Sequence, residues 1–240
     1  MRTVPTNLRA PCLVALTAGL LTGCANAAPR QPPGVPPTPA TVTREEPGGD
    51  AHDPQRAALQ RLIEEPWGWR NDKKDVVHFP LSDWPNWRRV RYWGVPSFVG
   101  FRYGDEHRAV TALWIRKLEP STQQTPQACL EQFEAWAQPL VDFYRTDVAK
   151  HEIRRVPWLH DREMIVQPMD VEVNGLFSDD TWYGVVGAGL GWPGVCVVFG
   201  YAFHAEDCGD VAKQTRDRFT REAFSRLTLV NPAQPPDDID

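Results

Sequence analysis

The 240-residue chain is short of the features that mark the commoner function classes. It has no basic excess: 26 Lys and Arg stand against 31 Asp and Glu, for a formal charge of −5. Broad nucleic-acid binding depends on clustered cations facing phosphates, so nucleic acid is not an expected partner. There is no Gly-x-Ser-x-Gly elbow, no Walker-type phosphate loop, no His-Glu-x-x-His helix and no dinucleotide fingerprint. No catalytic residue or cofactor is therefore read from motifs. The six histidines, His52, His78, His107, His151, His160 and His204, are scattered, and none shows metal-ligand spacing with another. Ser178-Asp179-Asp180-Thr181 reads as an acidic turn, since calcium requires six or more oxygen ligands. No metal site is expected.

Long apolar runs are also missing. The one stretch that comes near, Ala10 to Leu21, follows two cations, Arg2 and Arg9, and is too short to span a bilayer. A charged start followed by such a stretch reads as a secretory signal. The stretch closes on Leu21-Thr22-Gly23-Cys24, which resembles the lipobox of bacterial lipoproteins. In that family the cysteine is thioether-linked to diacylglycerol and becomes the new N-terminus. The resemblance implies a signal peptide over residues 1–23, lipidation at Cys24 and a membrane partner reached through that lipid. Two or more acyl chains hold stably where one holds only marginally. An Asp after the cysteine often marks inner-membrane retention in Gram-negative lipoproteins; here the residue is Ala25, which favours the outer membrane. The competing reading is ordinary cleavage after Ala25-Asn26-Ala27, which would release a chain starting at Ala28.

Removal of residues 1–23, with two arginines and no acid, would move the formal charge from −5 to −7. Residues 24–50 hold the lipid-bearing Cys24 and then seven prolines with almost nothing bulky and apolar, the composition of an extended spacer. Residues 51–231 read as one globular unit, and 232–240 as a disordered acidic tail.

Within that unit Asp53-Pro54 starts a short helix, with Leu59, Leu62 and Ile63 as its apolar stripe and Pro66 beyond its end. Segments Val76–Phe79, Arg88–Trp93, Ser97–Tyr103 and His107–Lys117 read as strands. Pro126 opens a helix with Cys129, Phe133, Trp136, Leu140 and Phe143 on one face, and Pro139 predicts a kink or an early end. Strands follow near His151–Val156, Met164–Val173, Thr181–Gly187 and Val195–Phe203, then a helix from Cys208 to Leu227. This pattern predicts an α+β fold: a largely antiparallel sheet with two main helices packed on it, plus a short N-terminal helix. Across residues 75–230 the order resembles the PsbP-like fold, shared by photosystem accessory proteins and several bacterial lipoproteins. That family has no common catalytic residues, and the resemblance implies a binding or accessory role.

Three local patterns carry candidate chemistry. As a strand, Trp87-Arg88-Arg89-Val90-Arg91-Tyr92-Trp93 puts Trp87, Arg89, Arg91 and Trp93 on one face. Arginines between aromatics form a candidate binding face for a sugar ring or anionic glycan; the alternative is a half-buried strand with snorkelling arginines. Gly191-Trp192-Pro193-Gly194 reads as a turn packed through its tryptophan. The cysteines left after the signal and Cys24 are Cys129, Cys196 and Cys208. Export favours disulfides, and Cys196 shares its strand face with Val198, Gly200 and Ala202, small residues that let a helix come close. The bridge read here is Cys129–Cys196, with Cys129–Cys208 and no bridge as alternatives. A reduced Cys129 near a helix start, paired with His160 or His204, would instead resemble the Cys-His peptidases of the cell wall. Their motif is Asp-Cys-Ser; this chain has Ala128-Cys129-Leu130. The expected function is thus a membrane-anchored envelope lipoprotein with a non-enzymatic domain that binds an envelope protein or glycan. The alternative is a Cys-His hydrolase using Cys129.

Overall fold

Strand β10 (Val195–His204) shows how the sequence builds the molecule. Its residues alternate in size, and the sheet it lies in is covered on both faces. Phe199, Tyr201 and Phe203 enter one core cluster, while Cys196, Val198 and Ala202 enter another. A computed structural model describes residues 54–71, 76–91, 98–104, 108–159, 161–174, 179–233 and 235. The signal segment, Cys24, the proline-rich stretch, Trp93 and the acids of the tail lie outside the described residues.

The main sheet has eight strands. Along it run β3 (Trp87–Arg91), β4 (Phe98–Tyr103), β5 (Ala109–Lys117), β10, β9 (Asp179–Trp192), β8 (Arg162–Asn174) and β6 (Thr146–Lys150). The eighth, β7 (Arg154–Trp158), pairs with β8 beside β6, and every pairing is antiparallel. Helix α2 (Pro126–Tyr144) covers the small-residue face of β10 with Cys129, Phe133, Ala137 and Val141. Helices α1 (Pro54–Glu64) and α3 (Gly209–Glu222) cover the other face, where Phe199, Tyr201, Phe203, Phe219 and Phe224 meet at centroid distances of 4.5–6.1 Å. Edge-to-face contacts of this kind add to the burial of the rings themselves.

A second sheet of three strands lies on the α1–α3 side, in the order β1 (Trp67–Asn71), β2 (Val77–Ser82), β11 (Thr228–Leu229). The segment expected as the first strand of the main sheet is thus β2, in a separate sheet. Tyr201 ties the two sheets, donating through its hydroxyl to Pro80 O at 2.6 Å.

Helix α2 runs through Pro139 to Tyr144 instead of ending there. Pro139 removes the bond to the carbonyl of Ala135, and both residues are exposed, so water can take that carbonyl. Thr125 caps the start, its Oγ1 accepting from Ala128 N at 3.1 Å. The strand expected near His151–Val156 begins only at Arg154, as β7, and a separate strand, β6, precedes it. β6 ends opposite Met169 and β7 begins opposite Val166, leaving Gln167 and Pro168 of β8 outside both ladders. Pro168 accepts from His151 N at 2.9 Å but has no N–H to return on that side, so the ladder breaks there.

Candidate functional site

Close approach of α2 to the small-residue face of β10 brings two cysteines together. Cys129 and Cys196 form a disulfide, with Cα atoms 5.3 Å apart. Both are fully buried. A buried sulfur already in a disulfide offers no thiolate, so the alternative that used Cys129 as a nucleophile has none in this structure. His204 is engaged elsewhere. Its ring stacks on Trp182 at 4.7 Å and its Nε2 sits 3.4 Å from Asp180 Oδ1. His160 lies outside the described residues. Cys208 is a buried thiol outside the disulfide, its Sγ 4.0 Å from His204 O.

The arginine strand differs from the sequence expectation. Trp87 is 1% exposed, and its indole N–H donates to Ser82 O at 2.8 Å. The reason is the three-stranded sheet, which brings Ser82 against this face of β3. Trp87 is a core residue and cannot serve an exposed binding face. Arg89, opposite Phe101, is exposed at the strand surface. Arg91 stands opposite Val99, and its side chain and all of Trp93 lie outside the described residues. Trp192 is likewise buried, its N–H bonded to Asn231 O at 3.0 Å, so its turn is a packed one.

The other side of β3 contributes to a cleft that the sequence reading missed. This cleft, of about 480 Å³, lies between α1 and the end of the sheet where β3 begins and β4 ends. Arg61 comes from α1, Arg88 from β3 and Arg108 from just before β5, with Asn86 and Tyr103 between them. A hydrogen-bonded group orders one wall. Tyr103 Oη donates to Asp83 Oδ2, Asn86 Nδ2 donates to the same oxygen at 2.8 Å, and Arg61 Nε donates to Tyr103 Oη at 3.4 Å. Burial, reinforced by the bond to Asp83, pushes the Tyr103 phenol up to about 12. The hydrogen bond to Tyr103 in turn holds the Arg61 guanidinium above its usual range. Three arginines line this hollow, and a guanidinium fork is a group that pairs with an oxyanion. Distance in sequence hides this set: positions 61, 88 and 108 line one cleft only because α1 lies beside the start of β3 and the end of β4.

A second polar cleft of about 390 Å³ lies between α3 and β8. Asp170 accepts from Arg216 Nη1 and lies 3.0 Å from His151 Nε2, while Arg216 also meets Asp217 at 3.1 Å. Here positive and negative groups answer each other across the α3–β8 contact, and the cluster reads as a tie between elements. Among the described residues, no group of three or more His, Cys, Asp or Glu is placed to hold a metal ion.

No protein-family model matches the chain, and no curated protein matches it. Solved structures do resemble it. Cyanobacterial PsbP (CyanoP) from Synechocystis sp. PCC 6803 aligns with a TM-score of 0.47 at 15% identity, over 68% of this chain and 92% of that one. A point mutant of the protein Mog1 aligns at 0.48 and 9% identity, over 69% and 97%. The Ran-binding protein Mog1p of Saccharomyces cerevisiae aligns at 0.45 and 8%, over 70% and 97%. These neighbours have PsbP-like folds. The α+β class itself rests on the strand order and register given above.

Proposed function

We propose that this chain is an envelope lipoprotein, held in the membrane by diacylglycerol on Cys24, whose domain binds a partner and does not turn one over. The observation that carries the reading is the run Leu21-Thr22-Gly23-Cys24 closing an apolar segment behind two arginines. Ala25 after the cysteine favours the outer membrane, and the partner is an envelope protein or glycan. The element order, strands, helix, strands and closing helix, supports a PsbP-like assignment of the domain. The arginine cleft supports a binding role, because it gathers cationic donors from three elements around a hollow of ligand size.

Crosslinking in the native envelope followed by pull-down tests the reading. The wild-type chain should capture a defined component, and Arg61→Ala with Arg88→Ala and Arg108→Ala should lose it. Turnover of an envelope component by the purified protein would overturn the non-enzymatic assignment.

A further inference from the structure

We infer that the outer edge of β1 is a self-association site, at which two copies of this chain pair antiparallel across a two-fold axis centred on Trp69. Three observations point to it.

The first is open backbone. β1 is an outer strand of the three-stranded sheet, and among the described residues only β2 lies beside it. Asp83 N donates to Pro66 O at 3.2 Å at one end of the β1–β2 ladder. Bonded and non-bonded pairs alternate from there, so Gly68 and Arg70 turn their N–H and C=O groups toward Leu81 and Phe79. Those of Trp67 and Trp69 point away from β2. The far side of β2 agrees with this phase. Val230 N donates to Val76 O at 2.9 Å, which directs the polar groups of His78 to β11 and away from β1. An edge with open donors and acceptors is a template for a further strand.

The second is what flanks that edge. Two of the large apolar side chains exposed among the described residues, Trp69 at 54% and Trp84 at 45%, stand on opposite faces of β1. Trp84 lies on Gly68, where a Cβ would be 2.1 Å from its Cδ1. Charge is a common device for blunting an edge, and Arg70 is the one charge of the strand. It is drawn onto Trp84, its Nε donating to Trp84 O at 3.3 Å and its guanidinium 5.4 Å from the ring centroid.

The third is self-complementarity. When Trp69 bonds the partner's Trp69, every residue of the strand finds an opposite number, and Gly68 faces the partner's Arg70. Registers centred on Gly68 or on Arg70 pair fewer residues, and the second opposes like charges. In the Trp69 register an aromatic pair forms on one face, and the partner's Arg70 comes beside Trp84 on the other. The same patch thus serves both copies, as a two-fold interface requires. A strand of five residues makes a small interface, so the dimer belongs to the weak class.

The test uses the full chain with Cys24→Ser, which removes association through lipid. Sedimentation from about 10 µM to about 1 mM covers the range of a weak interface, and the chain should pass from monomer to dimer across it. Trp69→Ala should weaken association about tenfold, as the loss of a central aromatic anchor. Trp69→Pro also removes the outward N–H, with no bond to β2 lost, and should abolish association. Both variants should keep the parent's thermal unfolding; if Trp69→Pro does not, crosslinking decides. Under mild oxidation Trp69→Cys should form a covalent dimer, because a bonded antiparallel pair sets Cα atoms about 5.5 Å apart, within disulfide range. Arg70→Cys should crosslink no more than the parent. A chain still monomeric at about 1 mM, association untouched by Trp69→Pro, or equal crosslinking from positions 69 and 70 would overturn the pairing. Capture of a different protein by the Trp69→Cys chain in native membranes, with no covalent dimer, would assign the edge to a foreign strand and overturn self-association.

Discussion

Trp87 and Arg89 lie two apart on β3 and point to the same side, yet one is 1% exposed and the other is open to solvent. Truncating them should separate the roles. Trp87→Ala removes a filled core position and the bond to Ser82, and should cost about 3–5 kcal/mol in urea unfolding. Arg89→Ala should stay within about 0.5 kcal/mol. A small loss at Trp87 would mean that the indole is not part of the core. The sequence made the alternation of this strand legible, but not which of its residues would be covered. That depended on Ser82 and the three-stranded sheet, whose strand β11 has only two residues. The cleft arginines were not legible at all, since no spacing links positions 61, 88 and 108. At the same scale, Tyr103 gives a pH dependence. An unfolded tyrosine ionises near pH 10, whereas folded Tyr103 does so only at about 12. The folded state favours the neutral phenol, so this contribution is fully present below pH 10 and is lost as the pH rises toward about 12. Tyr201, buried and raised well above the usual value, has the same sign. Tyr103→Phe should therefore flatten part of the alkaline loss of stability and leave the rest; an identical alkaline profile would show that Tyr103 is not held neutral by the fold.

At the scale of elements, α2 is fastened to β10 by covalent as well as apolar contact. The bridge joins positions 67 residues apart. In the chain-entropy account a loop of that length stabilises by about 4 kcal/mol through restriction of the unfolded chain. Cys129→Ala with Cys196→Ala should lower the stability by roughly that amount, plus the loss of buried sulfur, as read from guanidinium unfolding. Unchanged stability would mean that the bridge is not formed in the protein. The strand alternation of β10 is the clearest case of structure written in sequence, because large and small residues sort onto opposite faces. Strands β1 and β11 were not readable. β1 carries Gly68, where a Cβ would lie 2.1 Å from Trp84 Cδ1, so its glycine is a packing requirement that resembles a turn signal in sequence. The split between β6 and β7 is a pairing effect of Pro168, placed on a neighbouring strand and invisible from the segment that breaks.

For the whole molecule, the proposed lipid on Cys24 would hold an acidic chain at a membrane. The net charge of −5 disfavours general adhesion to anionic surfaces. Arg61, Arg88 and Arg108 line one cleft of the domain. All of this rests on the fate of Cys24. The direct measurement is mass spectrometry of the N-terminal peptide of the mature protein recovered from the detergent phase of its native membranes. The account predicts a chain that begins at Cys24 and carries the mass of a thioether-linked diacylglycerol. A mature chain that begins at Ala28, bears no lipid and stays in the aqueous phase would contradict it.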